Sequence, residues 1–294
     1  MRLAATALLL SLSLMAAAEE RTLIGYWVNT DDPDDATAFE KDRAITRDHG
    51  TIQYWMARYT PGRVVLGWLG EASLPYHWQG DDIIIDVPRH PEWHRVAKMP
   101  DSLQEPVVVI PKPSALDAAG VQAVSDAFVP RINQDQAVRR DPNRGREMGA
   151  VDRDNTAWLK MLIADVGWID GTRFGKHTAG SAFLLVQHSG DLPLMQATLP
   201  LIKIDLSLGV CDPQDFALLY DRVQIMTGQR QRYGSQIGQA LGKSALFPLE
   251  DRARVDDFRQ EIGLFPLKTY LAMFQQMMKT SIVYMDDMPV AGMP

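Results

Sequence analysis

The sequence predicts an α+β protein: a small N-terminal antiparallel β-meander, barrel-like in its curvature, over residues 22–110, followed by an all-α helical domain over 114–284. Three observations lead there. From Thr22 to about Ile110, β-branched and aromatic residues come in short alternating runs broken by turn residues. Pro111-Lys112-Pro113 then bars helix until Ser114. Beyond it, apolar residues recur every three to four positions, the spacing of a helix with one buried face.

Leu23 to Val28 forms the first strand, and Asp31-Asp32-Pro33-Asp34-Asp35 a turn. Ala36 to Arg47 and Thr51 to Tyr59 flank Asp48-His49-Gly50 and read as a hairpin. Pro61-Gly62 precedes the run Arg63 to Leu69, and Gln79-Gly80-Asp81-Asp82 precedes Ile83 to Val87. Strands joined so closely curl into a small barrel or a strongly curved sheet. The Gly25-Tyr26-Trp27 start, with its Gly-containing hairpin, resembles the small lipocalin-like domains of exported bacterial proteins. About 90 residues is short for an eight-stranded ligand barrel, so a filled interior is expected. His77, His90 and His94 lack metal-ligand spacing and read as surface or edge residues. The acidic turn lacks the sixth-position glycine of a Ca²⁺ loop of the EF-hand type.

In the second half, Ser114 is expected to cap a helix through Val121, Val124 and Phe128 that continues past Pro130 with Asp135-Gln136-x-x-Arg139. Arg140 to Val151, rich in charge, Pro and Gly, reads as a mobile connection. Asp152 or Asp154 then caps a helix with Trp158, Leu159, Leu162, Ile163 and Val166 on its apolar side, ended by Gly167. Gly175 to His188 is a central helix, small at Ala179-Gly180-Ser181-Ala182 and bulky later. Pro193 to Leu208, with Pro200 as a kink, and Pro213 to Thr227, stopped by Gly228, are the next two helices. Gln231 to Gln236 is too polar and Gly-interrupted for a helix and should lie across the others as an extended loop. A helix from near Glu250 carries Asp256 and Arg259 on one face before Gly263-Leu264-Phe265-Pro266 breaks it, and Lys268 to Thr280 is the last helix. The tail after Tyr284 should fray.

Residues 1–18 read as an export signal: Arg2 gives the positive start, Leu3 to Met15 the apolar run, and Ala16-Ala17-Ala18 the cleavage site. The expected product is soluble and periplasmic or extracellular, since no later stretch nears the roughly 20 apolar residues of a membrane span. Net charge is −7, and losing Arg2 with the signal lowers it to −8. Such a surface repels nucleic acid, and the run Arg139, Arg140, Arg144, Arg146 is interleaved with acids and reads as a solvated loop. Cys211, the sole cysteine, permits no internal disulfide and reads as a core or loop thiol.

Polar and ionisable residues interrupt the apolar helices at Gln187-His188, Asp221-Arg222 and Gln231-Arg232-Tyr233-Gly234-Ser235-Gln236. Burying such groups unpaired is costly, so together they imply one shared network. If the network is a site, His188 is the general acid or base and Asp221 orients it, with Tyr233 donating to an oxyanion. Gln136, Gln187, Gln231, Ser235 and Gln236 then bind a small polar or peptide-like ligand, and Arg139 or Arg222 pairs with its carboxylate or phosphate. Ser235 makes a poor nucleophile, because Tyr-Gly-Ser-Gln lacks the Gly-x-Ser-x-Gly elbow. No cofactor and no metal is expected: His177 and His188 share a helix face but stand about 16 Å apart, and the set His188, Asp191, Asp221 has no paired-histidine motif. If the network is scaffolding, Asp221-Arg222 and Asp256-x-x-Arg259 form helix-pinning ion pairs, and His188 caps a helix C-terminus.

The second half also resembles a family, the bacterial proteins sharing domain of unknown function 6624, over about residues 130–272. The matching motifs are Asp135-Gln136-x-x-Arg139, Asp154-Asn155, Gly167-Trp168, Gln187-His188, Asp221-Arg222, Gln231-x-Tyr233-Gly234-Ser235-Gln236, Val255-Asp256-x-x-Arg259 and Gly263-Leu264-x-Pro266-Leu267-x-x-Tyr270. Members often carry Thr where this chain has Ser235, and Pro where it has Ile169. The resemblance implies no established activity.

Overall fold

Eight short strands close on themselves at the start of the computed structural model, which describes residues 22–48, 51–67, 71–86, 91–240 and 242–287. They are β1 (Gly25–Asn29), β2 (Ala36–Phe39), β3 (Arg43–Asp48), β4 (Thr51–Thr60), β5 (Arg63–Gly67), β6 (Glu71–Gln79), β7 (Asp82–Ile85) and β8 (Glu92–Val96). Each runs antiparallel to the next, and β8 returns to pair with β1, Val96 opposite Tyr26. Full closure leaves no edge strand to template aggregation. The meander therefore holds more strands than the sequence suggested, because the run Ala36 to Arg47 is two strands broken at Glu40–Asp42, where Arg43 turns back onto Glu40. The turn residues His49 and Gly50 lie outside the described residues, as do His90, the ends of the runs to Leu69 and Val87, and residues 1–18, on which the expected export signal falls.

The barrel is filled. Trp27, Phe39, Val64, Leu66, Ile83 and Ile85 form its interior, with Trp55, Tyr59 and Trp78 packed against them. The Arg95 guanidinium lies 4.5 Å over the Trp27 ring and donates to the Ile24 carbonyl at 2.8 Å. A Cβ on Gly25 would meet that guanidinium at 2.5 Å, and Gly25 has φ +143, so the Gly of Gly25-Tyr26-Trp27 leaves room for this contact. Val28, Ala36, Ala38, Ile45 and Ile52 on the outer wall pack around Leu103 of the following segment.

Seven α-helices follow among the described residues: α1 (Ala118–Arg140), α2 (Met148–Val166), α3 (Gly171–His188), α4 (Leu192–Ser207), α5 (Pro213–Met226), α6 (Val255–Glu261) and α7 (Leu267–Met278). Asp117, not Ser114, caps α1, accepting from Gly120 N at 2.8 Å. Ser114 is occupied elsewhere, donating to Asp165 O at the end of α2. Arg140 to Val151 is ordered: Asp141 caps a 3₁₀ turn over Pro142–Glu147, Arg144 pairs with Glu147 at 2.7 Å, and α2 begins at Met148. Asp152 and Asp154 consequently sit within α2 instead of capping it. Gly175 breaks the first turn of α3 from the rest (φ 75, ψ 160), and Gly167 ends α2 as expected. Leu185 and Val186 of α3 lie at the centre of a core that takes in Phe128, Leu159, Ile163, Met195, Phe216, Leu219 and Phe258.

The region expected to be all-α also carries a three-stranded sheet, ordered β11-β10-β9: β9 (Ile237–Ala240), β10 (Lys243–Leu246) and β11 (Ile282–Tyr284). Strands of three or four residues leave no periodicity to read, and β11 reaches its partner from beyond two helices. α6 starts at Val255, five residues after Glu250. Asp286 and Asp287 fix the segment after Tyr284 by pairing with Arg230 and Arg252, while residues 288–294 lie outside the described residues. Arg43 of β3 donates to the Met226 carbonyl at the end of α5, and Tyr54 of β4 packs on the helical core, so barrel and helices meet there. No helix among the described residues is long and apolar enough to cross a membrane.

Candidate functional site

Asp135 and Arg139 stand one turn apart on α1, and their shared face meets the C-terminal end of α3, where His188 is the last helical residue. Asp135 is fully buried at 0% exposure and places both carboxylate oxygens 3.0 Å from His188 Nδ1. Arg139 donates to Asp135 Oδ1 at 2.8 Å and to Asp152 Oδ1 of α2 at 2.6 Å, and Gln136 Nε2 donates to Asp135 Oδ2 at 2.9 Å. Burial alone would raise the Asp135 pKa; the bonds from His188 and Gln136 and the charge of Arg139 more than offset it and hold it below the usual carboxylate range. An ionised Asp135 accepts from Nδ1–H, which leaves Nε2 as the imidazole nitrogen with an open lone pair in the neutral form. The His188 side chain keeps 19% of its surface exposed, so this nitrogen lies at the rim of the cluster.

A second guanidinium comes from α5. Arg222 donates through Nη1 to the Gln187 carbonyl, one of those left unpaired by the end of α3, and through Nε to Gln236 Oε1 at 3.2 Å. Burial, then the like charge of Arg139, pushes the Arg222 pKa down to about 10. The Gln187 side chain, 4% exposed, leaves its Oε1 buried without a partner. For Asp152, burial outweighs Arg139 and raises the pKa.

The remaining predicted residues form a different structure. Asp221 is fully buried and accepts from the backbone N–H groups of Arg232 (2.8 Å), Tyr233 (3.0 Å) and Ser235 (2.9 Å). It therefore cannot orient His188; Asp135 does that. Burial pushes the Asp221 pKa up to about 6 against those donors. Gln231 clamps the same loop, donating to Phe247 O at 2.7 Å and accepting from Gln236 N at 2.8 Å. Ser235 Oγ donates to Ala217 O of α5, and Gln236 Nε2 to Leu218 O. The Tyr233 ring packs edge-on against Phe216 and Tyr220, and burial raises its hydroxyl pKa to about 12. Arg259 donates to the carbonyls of Tyr233 and Phe265, and Asp256 accepts from Leu267 N at 2.6 Å. The expected ion pairs of Asp221-Arg222 and Asp256-x-x-Arg259 are thus replaced by side-chain bonds to main-chain groups: the loop offers more unpaired N–H and C=O groups than the helices can satisfy.

The structure brings His188, Gln136 and Arg139 together around Asp135, joins Arg222 to Gln236 and to the carbonyl of Gln187, the residue before His188, and sets Gln231, Tyr233 and Ser235 in a loop that Asp221 of α5 holds. Sequence reasoning omitted Asp135 and Asp152 from the site. The signal for Asp135 was present, an acid one turn before Arg139 on a helix with a buried face, whereas Asp152 looked like a cap. Asp191 caps α4 through Leu194 N and pairs with Lys160, away from Asp221, and no group of three or more His, Cys, Asp or Glu among the described residues is placed to hold a metal ion. His77 pairs with Asp86 at 3.1 Å on the barrel surface. Burial, then neighbouring Asp215, pushes the Cys211 thiol up to about 12, the reverse of an activated nucleophile.

The model of a family described as a family of unknown function (DUF6624) matches residues 131–281. The chain belongs to this family. The DUF6624 segment covers just over half of the sequence and contains both clusters, while the barrel lies outside it. Neither the curated proteins nor the solved structures contain a match to the chain.

Proposed function

We propose that the protein is exported and binds a small polar or peptide-like ligand beside His188, which takes up or delivers a proton there. One observation carries this reading: a carboxylate with 0% exposure holds one imidazole nitrogen and leaves the other at a partly open rim. An acid–base histidine needs its tautomer and ring orientation held in this way. Arg139 bonds the same carboxylate and Arg222 the carbonyl of the preceding residue, so both add positive charge nearby, and the Gln187 side-chain oxygen, which has no partner among the described residues, offers a buried acceptor next to it in the chain. A histidine merely capping α3 would need no buried acid behind it. The scaffolding reading keeps its own support in the loop 231–236, whose polar groups are matched to main-chain partners and call for no ligand.

NMR of the histidine ring nitrogens in the mature chain tests the proposal. The neutral His188 ring should carry its proton on Nδ1 in the wild type, and Asp135→Asn should release that tautomer, because the ionised acceptor is gone. A screen of metabolites and peptides by thermal shift should then find a ligand whose stabilisation disappears in His188→Gln while that variant stays folded. If the Asp135→Asn substitution leaves the tautomer unchanged, or if His188→Gln retains every stabilising ligand, the reading fails. Export is checked by the mass of the secreted product, which should begin near Glu19.

A further inference from the structure

A cleft of about 400 Å³ opens where barrel, linking segment and helices meet, within the roughly 300–1,000 Å³ usual for ligand sites. Arg47 of β3, Glu105 of the linker, Arg153, Thr156 and Lys160 of α2, and Asp191 before α4 line it. Its charges are not balanced. Lys160 pairs with Asp191, which is also engaged in capping α4. Glu105 accepts from the Tyr54 hydroxyl at 2.7 Å, and burial raises its pKa. Arg47 uses one N–H on the Ser102 carbonyl, and neither Arg47 nor Arg153 has a carboxylate partner among the described residues. Two guanidiniums from separate elements thus face one concave space with acids that are already committed.

The lining of this cleft includes near neighbours, along α2 and along the chain, of residues in the His188 cluster. Asp152, Thr156 and Lys160 follow at four-residue intervals on one face of α2: Asp152 holds Arg139, and the Thr156 hydroxyl donates to the Asp152 carbonyl at 2.6 Å. One helical turn, about 6 Å of rise, separates the first two. Ser189 and Gly190, which also line the cleft, directly follow His188 in the chain.

We propose that the cleft binds a small molecule or peptide end through a carboxylate or phosphate held by Arg47 and Arg153, with the rest of the ligand running along α2 toward His188. The anion site stands on the cleft alone; only which end reacts rests on the proton-transfer role of His188. Planar guanidiniums suit both anions, since each presents paired N–H donors to two oxygens.

Calorimetric titration of the mature chain with inorganic phosphate, glycylglycine and glycylglycinamide tests this. Binding of glycylglycine without its amide identifies a carboxylate, and binding of phosphate alone identifies a phosphate; either supports the proposal. Arg153→Glu, on an exposed helix position, should weaken the bound probe about tenfold or more with an unchanged melting temperature. No binding of any probe to the wild type at millimolar concentration, or equal binding by Arg153→Glu, overturns it. His188→Gln should keep the probe affinity; if it abolishes binding, the anion sits at the histidine and the cleft assignment is wrong. Failure of the proton-transfer role appears separately, in the His188 ring tautomer of Asp135→Asn.

Discussion

Asp221 and Asp135 are both buried carboxylates, and their partners separate their roles. Asp221 satisfies three main-chain N–H groups, each costing about 1–3 kcal/mol if stranded. Asp221→Ala should therefore destabilise the protein by about 3–5 kcal/mol in urea unfolding, against about 1 kcal/mol for His188→Gln at its partly open rim. For Asp135 the native pKa is lowered, so the unfolded chain takes up its proton first as pH falls. Its contribution is present in full above about pH 4 and is lost as pH drops through the native value. Asp135→Asn should flatten that acid limb and cost about 3 kcal/mol at neutral pH, since it removes the negative charge that His188 and Arg139 share and keeps only one acceptor oxygen. Asp215 behaves in the opposite sense. Burial, then Asp212, raises its pKa to about 7, so the native state holds a proton that the unfolded chain has already released. Stability should fall between about pH 4 and pH 7, and Asp215→Asn should be the more stable by about 1–2 kcal/mol near pH 8, measured by thermal unfolding, once partial exposure is discounted. At this scale the sequence named the polar residues but not their partners. Asp221-Arg222 are adjacent in the chain, yet one side chain turns to the loop and the other to α3.

At the scale of elements, the loop 231–236 ties α5, α6 and α7 together. Asp221 holds its N–H groups, Arg259 its Tyr233 carbonyl, and the Tyr270 hydroxyl its Ser235 carbonyl at 3.1 Å. Its turn depends on Gly234, at φ +67, where an added Cβ would lie 2.7 Å from Leu267 Cδ1. Gly234→Ala should cost about 1–3 kcal/mol and speed amide exchange first in α7, whose first residue carries that side chain. The helices were legible because each buries one stripe, and Gly167 and Gly263-Leu264-Phe265-Pro266 marked ends that the chain uses. The sheet of β9, β10 and β11 was not: β10 pairs in parallel with a strand some 35 residues later, a relation that local periodicity cannot carry. The order of Arg140 to Val151 was hidden for a related reason, since charge and Pro mark a loop only until a neighbouring helix supplies partners.

For the whole molecule, the filled barrel and the polar cluster divide the chain by chemistry. Trp27, Trp55 and Trp78 occupy the barrel interior, so a fatty acid or similar apolar ligand should leave the melting temperature unchanged, where a barrel with an open cavity would be stabilised. Arg43 joins the two parts by donating to the end of α5, and Tyr54 by packing on the helical core. The order of barrel then helices, the helix boundaries to within a few residues, and the set of polar residues that must find partners were all readable from the chain, because periodicity and the cost of burying polarity act locally. Which acid meets His188, that Asp152 holds Arg139, and that a barrel arginine and an α2 arginine line one cleft came only with the fold. Asp135 and His188 stand 53 positions apart and Asp152 and Arg139 13, on different helices, so their geometry is set by how the helices pack and not by any neighbour in sequence.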